Sequence, residues 1–170
     1  MTDAAWETLS NQAVAACGVV YFLALLAHLV EWSALRRTDQ PAKVAVGAGG
    51  PGEPAAETAP AVVPSDRALV FGRFGLLLTA LGAAVHLVGL VGRGMAADPN
   101  RVPWGNMYEF VLTGTFVVVA FYLALLRKYS LAWLGPVVTG FAISVLMLAQ
   151  LSLYEEVAPL TEALSSPWLV

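Results

Sequence analysis

The chain has 170 residues, of which 58% are hydrophobic and only 12% are charged, and its formal net charge is −3. Soluble domains carry about 25% charged residues, and a soluble chain of this length has too little interior to bury so much apolar surface. The nine Lys and Arg residues form no dense basic cluster, which argues against nucleic-acid binding. The single cysteine, Cys17, excludes an internal disulfide and a Cys-x-x-Cys redox or zinc motif. Lipid is therefore the expected solvent.

Four segments are long and apolar enough to cross a bilayer, for which a helix needs about 20 residues. We predict spans at 13–35, 69–93, 108–127 and 131–153, the last with Pro136 in its first turn or at a kink. Asp3 and Glu7 precede the first span without any Lys or Arg, so this span is predicted to be retained and not cleaved as a signal peptide. The predicted fold class is all-α, a polytopic transmembrane helical bundle.

The basic residues predict the orientation of the spans. Seven lie in or beside the first and third connections, and two, Arg93 and Arg101, lie on the other side. Under the positive-inside rule the N-terminus is outside the cell membrane, and residues 1–12, 94–107 and 154–170 are extracytoplasmic. Residues 36–68, rich in Gly, Pro, Ala and Val, are predicted to be a flexible cytoplasmic linker. The seven are Arg36, Arg37, Lys43, Arg67, Arg73, Arg127 and Lys128.

The end of the chain has the pattern of a helix start. Ser166 suits an N-cap and Pro167 suits the first helical position. We expect a truncated fifth helix here, so that the chain is an N-terminal fragment of a longer membrane protein.

The connection between spans two and three ends in Pro103-Trp104-Gly105-Asn106-Met107-Tyr108-Glu109, which has two interpretations. In the structural one, Asn106 and Glu109 form a capping box for span three, and Trp104 and Tyr108 belong to the interfacial aromatic belt. In the functional one, Trp104, Tyr108 and Glu109 form an aromatic and acidic ledge that supports a flat, amphiphilic ligand at the outer face.

Polar residues inside the spans are further candidates. His86 is a ligand or ligand-proximal residue, a histidine bonded to a neighbouring helix, or a side chain tipped toward the interface. Arg93, on the same face, either meets a carboxylate or snorkels. His28 and Glu31 can touch on one helix face, as a solvated pair at the inner interface. Gln150 can bond between helices. Glycine recurs at every seventh position of span two, which favours close helix packing: Gly75, Gly82 and Gly89.

The run His86-Leu-Val-Gly-Leu, followed by the Pro103–Glu109 motif, resembles the CcsA/CcsB (ResC-like) family of System II cytochrome c biogenesis proteins. That family shows a His-x-x-Gly-Leu helix end and then a Pro-Trp-(Ser/Gly)-Asn-x-Tyr-Glu loop. The resemblance covers roughly residues 69–170, including the ending Ser166–Val170. The long linker and its Ala/Val/Gly bias are similar to actinobacterial members.

The resemblance implies haem transport to the outer face and haem attachment to apocytochrome c, with a ResB/CcsB-like membrane partner. His86, Trp104 and Tyr108 would then line the haem path, and Pro103, Gly105, Asn106 and Glu109 would form the structural motif that holds the loop. The family's tryptophan-rich signature and its flanking histidines are absent, so the main haem ligands are expected beyond residue 170. We assign no catalytic residue and no metal ligand, and expect this chain alone to be inactive as a cytochrome c haem lyase.

Two other functions fit the same residues. A small transporter or ion-pathway subunit would use His86 and Arg93 along a polar, water-filled route. A structural assembly subunit would bind no ligand at all.

Overall fold

The computed structural model describes residues 1–38 and 65–157, and over these ranges the chain is helical and contains no strand. The long helices are α1 (Asp3–Thr38), α2 (Asp66–Met95), α3 (Met107–Leu125) and α4 (Gly135–Leu148). A short 3-10 helix, Ala132–Leu134, precedes α4, and a π-helical turn, Ala149–Leu153, follows it. Residues 39–64 of the predicted linker and the predicted helix start at Ser166 lie outside the described residues.

Four helical segments are long and apolar enough to span a membrane, as predicted: Asp3–Leu35, Asp66–Met95, Met107–Leu125 and Ala132–Leu153. The first helix begins ten residues before the predicted span at 13–35, because residues 3–12 continue it without a break. Helix α2 begins at Asp66, where the Ser65 side chain accepts a hydrogen bond from the Ala68 N–H at 3.3 Å. Pro136 lies in the first turn of α4, one of the two positions predicted for it.

Helices α1 and α2 pack closely through the three glycines spaced seven residues apart, which confirms the predicted packing. A Cβ at Gly82 would lie 2.7 Å from Cε1 of Tyr21, and one at Gly75 would lie 2.8 Å from the His28 ring. At Gly89 it would lie 3.0 Å from Val14. Real Cβ atoms do not approach other atoms as closely as a Cβ at Gly75 or Gly82 would, and the contact at Gly89 would be tight, so glycine at these positions permits the close separation of the two helices.

Apolar side chains occupy both the interior and the surface of the bundle, as expected for helices surrounded by lipid. Cys17, Tyr21, Leu112, Val119 and Leu146 belong to one buried apolar cluster that joins all four helices. Large apolar side chains also cover the outside, which hydrocarbon tolerates and water does not; they include Phe22, Leu77, Phe110, Phe121, Phe141 and Leu151.

The bundle has two ends, here called the loop end and the linker end. The loop end contains the start of α1, the α2–α3 connection (96–106) and the end of the π-helical turn. The linker end contains the other end of α1, the start of α2 and the 3-10 helix, and there Trp32 Nε1 donates to the Trp133 carbonyl at 3.1 Å.

Candidate functional site: a buried ionic cluster at the loop end

Glu109, in the first turn of α3, is the centre of a buried ionic cluster. Its Oε1 lies 3.2 Å from Arg93 Nε, and its Oε2 lies 2.6 Å from Arg101 Nη1. The backbone N–H of Gly105 donates to Oε2 at 2.7 Å. Glu109 and Arg93 are both fully buried and Arg101 is nearly so, hence the carboxylate is shared by two guanidinium groups away from solvent.

Arg93 extends the cluster to the other helices. Its Nη1 lies 3.7 Å from Glu7 Oε1 on α1, and its Nη2 donates to the backbone carbonyl of Glu155, beyond the π-helical turn. The guanidinium also lies over the rings of Tyr108 and Tyr154, at 5.0 and 5.8 Å. One arginine at the end of α2 therefore contacts α1, α3 and the residues that directly follow the π-helical turn. Of the two roles predicted for it, meeting a carboxylate is confirmed, and it does not snorkel to the surface.

The formal charges of the cluster balance, which is why its burial is tolerable. The two guanidinium groups of Arg93 and Arg101 face the carboxylates of Glu109 and Glu7. Charges out of water are costly unless they are paired and hydrogen-bonded. Charge-assisted bonds meet that condition at Glu109, Arg101 and the Nε of Arg93, whereas Arg93 Nη1 is buried without a hydrogen bond to a described residue and has only the ion pair with Glu7 at 3.7 Å. The cluster thus fastens the loop to the bundle.

The Pro103–Glu109 segment combines a confirmed cap with an altered capping box. The Asn106 side chain accepts the Glu109 N–H at 2.8 Å, as predicted. The Glu109 carboxylate takes the Gly105 N–H instead of the Asn106 N–H, because the two arginines draw it inward. The Thr113 hydroxyl donates to the Pro103 carbonyl at 3.1 Å, and a Cβ on Gly105 would collide with the Arg101 guanidinium.

The predicted ledge of Trp104, Tyr108 and Glu109 is not formed on the surface. Trp104 is half exposed, but Tyr108 is fully buried, as is Glu109. The Tyr108 hydroxyl donates to Gln150 Oε1 at 3.1 Å, which confirms Gln150 as an interhelical partner. The Tyr108 ring meets Tyr154 edge to face, with centroids 5.3 Å apart. Tyr108 thus serves packing in the bundle, and Trp104 alone faces outward.

His86 lies in the interior of the bundle, between aromatic rings. Its Nδ1 lies 3.5 Å from the Tyr21 hydroxyl, and its ring makes edge contacts with Tyr21 and Phe116 at centroid distances of 6.1 and 5.7 Å. Its Nε2 has no hydrogen-bond partner among the described residues, although the side chain is fully buried. An imidazole nitrogen without a hydrogen bond can ligate haem iron.

The His86 side chain is nevertheless fully buried, with no exposed surface at which a porphyrin could approach it. Neither His86 nor Tyr108 lines the cavities of about 320, 360 and 400 Å³ that indent the described part of the bundle. Trp104 lies apart from His86, on the loop surface. The structure therefore does not bring His86, Trp104 and Tyr108 together around one space, and the helices would have to separate for His86 to reach a haem. Residues 1–38 and 65–157 also contain no group of three or more His, Cys, Asp or Glu side chains suited to a metal ion.

A second polar group, which we call the linker-end pair, consists of the buried His28 and the partly buried Glu31. As predicted, they touch, with Nδ1 and Oε2 3.3 Å apart. The prediction that the pair is solvated is wrong: His28 is 2% exposed. The reason is a slot for the imidazole between Gly75 of α2 and Gly135 of α4, where a Cβ would lie within 2.8 Å of the ring.

The linker-end pair is also hydrogen-bonded to helix α2 through Thr79. Thr79 donates its hydroxyl to the Gly75 carbonyl at 2.8 Å, so it accepts from His28 Nε2 at 3.3 Å. The contact between Nδ1 and Glu31 Oε2 then holds one proton, since two bare acceptors do not bond.

No protein-family model, curated protein or solved structure matches the chain. The chain forms a four-helix bundle whose helical segments are long and apolar enough to span a membrane, with a buried ionic cluster at one end and a histidine–glutamate pair at the other.

Proposed function

We propose that the chain is a multi-pass protein of the cell membrane, with its N-terminus and the loop end outside. The distribution of basic residues supports this orientation under the positive-inside rule. At the loop end Arg93 and Arg101 are buried and share the Glu109 carboxylate, so they present little free positive charge. At the linker end Arg67 and Arg73 are exposed.

We further infer that the protein belongs to the System II machinery that delivers haem to the outer face and presents it for attachment to apocytochrome c. The observation that carries this proposal is how the structure arranges the Pro103–Glu109 segment, whose sequence resembles the family motif. Glu109, the last residue of the segment, is at the centre of the buried ionic cluster. The cluster fixes the loop, on which Trp104 is half exposed. An exposed indole on a fixed backbone suits the face of a porphyrin, because aromatic rings stack with defined geometry.

In this proposal the chain lines one side of the haem path, and the residues that ligate the haem iron lie outside the chain. A ResB/CcsB-like membrane subunit and apocytochrome c are the partners that the resemblance implies. When bound, haem supplies the vinyl groups that react with the cysteines of the apocytochrome. The part played by this chain is to keep the loop in place and to keep Trp104 facing the ligand.

The test is maturation of a reporter c-type cytochrome by the full-length gene product, in a host without its own maturation system. Trp104→Ala should lower the haem-stained cytochrome by about two- to tenfold, since stacking contributes roughly 0.5–1.5 kcal/mol. Trp133→Ala is the matched control, because Trp133 is similarly exposed, at 59% against 50%, but lies at the linker end. A Soret band in the purified wild-type protein should accompany activity.

One observation favours a second candidate, a structural assembly subunit that binds no ligand. His86, Tyr108 and Glu109 are all fully buried and all serve contacts between helices. This alternative predicts that Trp104→Ala matures the reporter as well as wild type does and that no Soret band is seen. Those two results together would reject haem delivery.

A further inference from the structure

A cavity of about 320 Å³ opens at the linker end, between α1, α2 and the end of α3. Its size is that of a small-molecule site. Leu35, Leu69, Leu76 and Leu126 supply apolar walls, and the polar lining comes from the linker-end pair together with Arg73 and Tyr122. It is thus an apolar space with a few polar groups converging on it.

Three polar groups that line this cavity have hydrogen-bonding capacity left over. Glu31 uses Oε2 for His28, while Oε1, the atom that faces Gly72, receives no hydrogen bond from a described residue. Arg73 makes no ion pair within residues 1–38 and 65–157, although Glu31 lines the same cavity. The Tyr122 hydroxyl likewise has no hydrogen-bond partner in that part of the chain, while the residue is only 5% exposed.

Arg73 supplies the cationic group of the lining. Glu31 is already in contact with His28, so the Arg73 guanidinium is the charged group of the cavity without an ion-pair partner among the described residues. Arginine binds phosphate oxygens through paired N–H donors, and basic pockets between membrane helices bind anionic headgroups. The remaining acceptor, Glu31 Oε1, requires a hydrogen-bond donor from the ligand.

We propose that this cavity binds an anionic phospholipid with a hydroxylated headgroup, namely phosphatidylglycerol. The phosphate lies against Arg73 and the Tyr122 hydroxyl, a glycerol hydroxyl donates to Glu31 Oε1, and an acyl chain follows the leucine walls. His28 does not contact the lipid, since both ring nitrogens are already engaged with Glu31 and Thr79. This site is independent of haem delivery and lies at the opposite end of the bundle from Trp104.

The experiment is native mass spectrometry of the purified chain in detergent, titrated with four lipids of identical acyl chains. These are phosphatidylglycerol, phosphatidic acid, phosphatidylethanolamine and phosphatidylcholine. Phosphatidylglycerol should bind about tenfold more tightly than the two zwitterionic lipids, because these carry the same phosphate but add a cationic group that Arg73 repels. Phosphatidic acid, which has the charge but no glycerol hydroxyl, should bind less tightly than phosphatidylglycerol.

Two variants separate the contacts. Arg73→Gln should bring phosphatidylglycerol down to the level of phosphatidylcholine, and Glu31→Gln should remove its advantage over phosphatidic acid. Arg67→Gln is the matched control, since Arg67 is an exposed arginine of the same helix that does not line the cavity. Arg73 is itself exposed, so its replacement does not threaten the fold.

The proposal fails if phosphatidylcholine binds as tightly as phosphatidylglycerol. It also fails if Arg67→Gln weakens binding as much as Arg73→Gln does, because the lipid would then be attracted by the overall positive charge of this end and not bound at the cavity. Equal binding of phosphatidic acid and phosphatidylglycerol to the wild-type chain would overturn the role of Glu31.

Discussion

Replacing Glu109 by glutamine removes one negative charge from the loop-end cluster and changes little else. The backbone N–H that Asn106 caps is kept, and so is the volume of the side chain. The carboxylate accepts from Arg93 at 3.2 Å, from Arg101 at 2.6 Å and from the Gly105 N–H at 2.7 Å. Without it, the fully buried Arg93 retains only Glu7, at 3.7 Å, as an ionic partner.

Removing one partner of a buried ion pair costs about 3–5 kcal/mol, since the other charge stays buried. For a chain of this size, each kcal/mol lowers the midpoint of thermal unfolding by about 2–4 °C. We therefore expect Glu109→Gln to lower the midpoint in detergent by about 10 °C. The assay uses a thiol-reactive fluorescent dye, because the single cysteine, Cys17, is fully buried and becomes reactive only on unfolding.

The matched control is Glu156→Gln, an identical charge change at an exposed residue of the same end. Exposed ionic groups contribute about 0–1 kcal/mol, so this control should shift the midpoint by less than about 3 °C. If the two variants unfolded at the same temperature, the buried cluster would not be what fastens the loop.

Three further predictions concern the cap of α3, the packing of α1 on α2 and the orientation of the chain. Asn106→Ala should destabilise the bundle by about 1 kcal/mol in the same dye assay, because the cap of α3 is lost; an unchanged midpoint would contradict that cap. Gly82→Ala should cost about 1–3 kcal/mol by forcing Tyr21 away, whereas Gly18→Ala, with nothing within 4 Å of the new Cβ, should be neutral or stabilising. In a Cys17→Ala background, a cysteine at Asp98 should react with a membrane-impermeant thiol reagent in intact cells and one at Arg67 should not, and the reverse pattern would refute the proposed orientation.

Features that depend on residues close in sequence could be predicted from the sequence. The Asn106 cap needs only Glu109, three residues on, and the contact of His28 with Glu31 needs only one helical turn. The glycines of α2 signal close packing by their spacing alone, although the spacing does not identify α1 as the partner. Helix periodicity fixes which residues share a face and leaves open what that face meets.

Features that depend on distant parts of the chain could not be predicted. The burial of His28 is produced by Gly135, more than a hundred residues away, which forms one wall of the imidazole slot. The inward orientation of Glu109 follows from Arg93 and Arg101 converging on it, and its place in a capping-box pattern gave no sign of this. Tyr108 matched an interfacial aromatic belt in type and position, yet its ring is buried.

The proposed orientation and the proposed haem delivery both require the four helices to lie in lipid, and membrane fractionation tests that location most directly. Membranes from cells expressing the chain are washed with alkaline carbonate, pelleted at high speed and then extracted with detergent. We predict that the chain stays in the pellet through the wash and enters the supernatant only with detergent. A chain that remained in the aqueous fraction without detergent would show that these apolar faces meet something other than a bilayer, and the orientation and haem delivery would both be wrong.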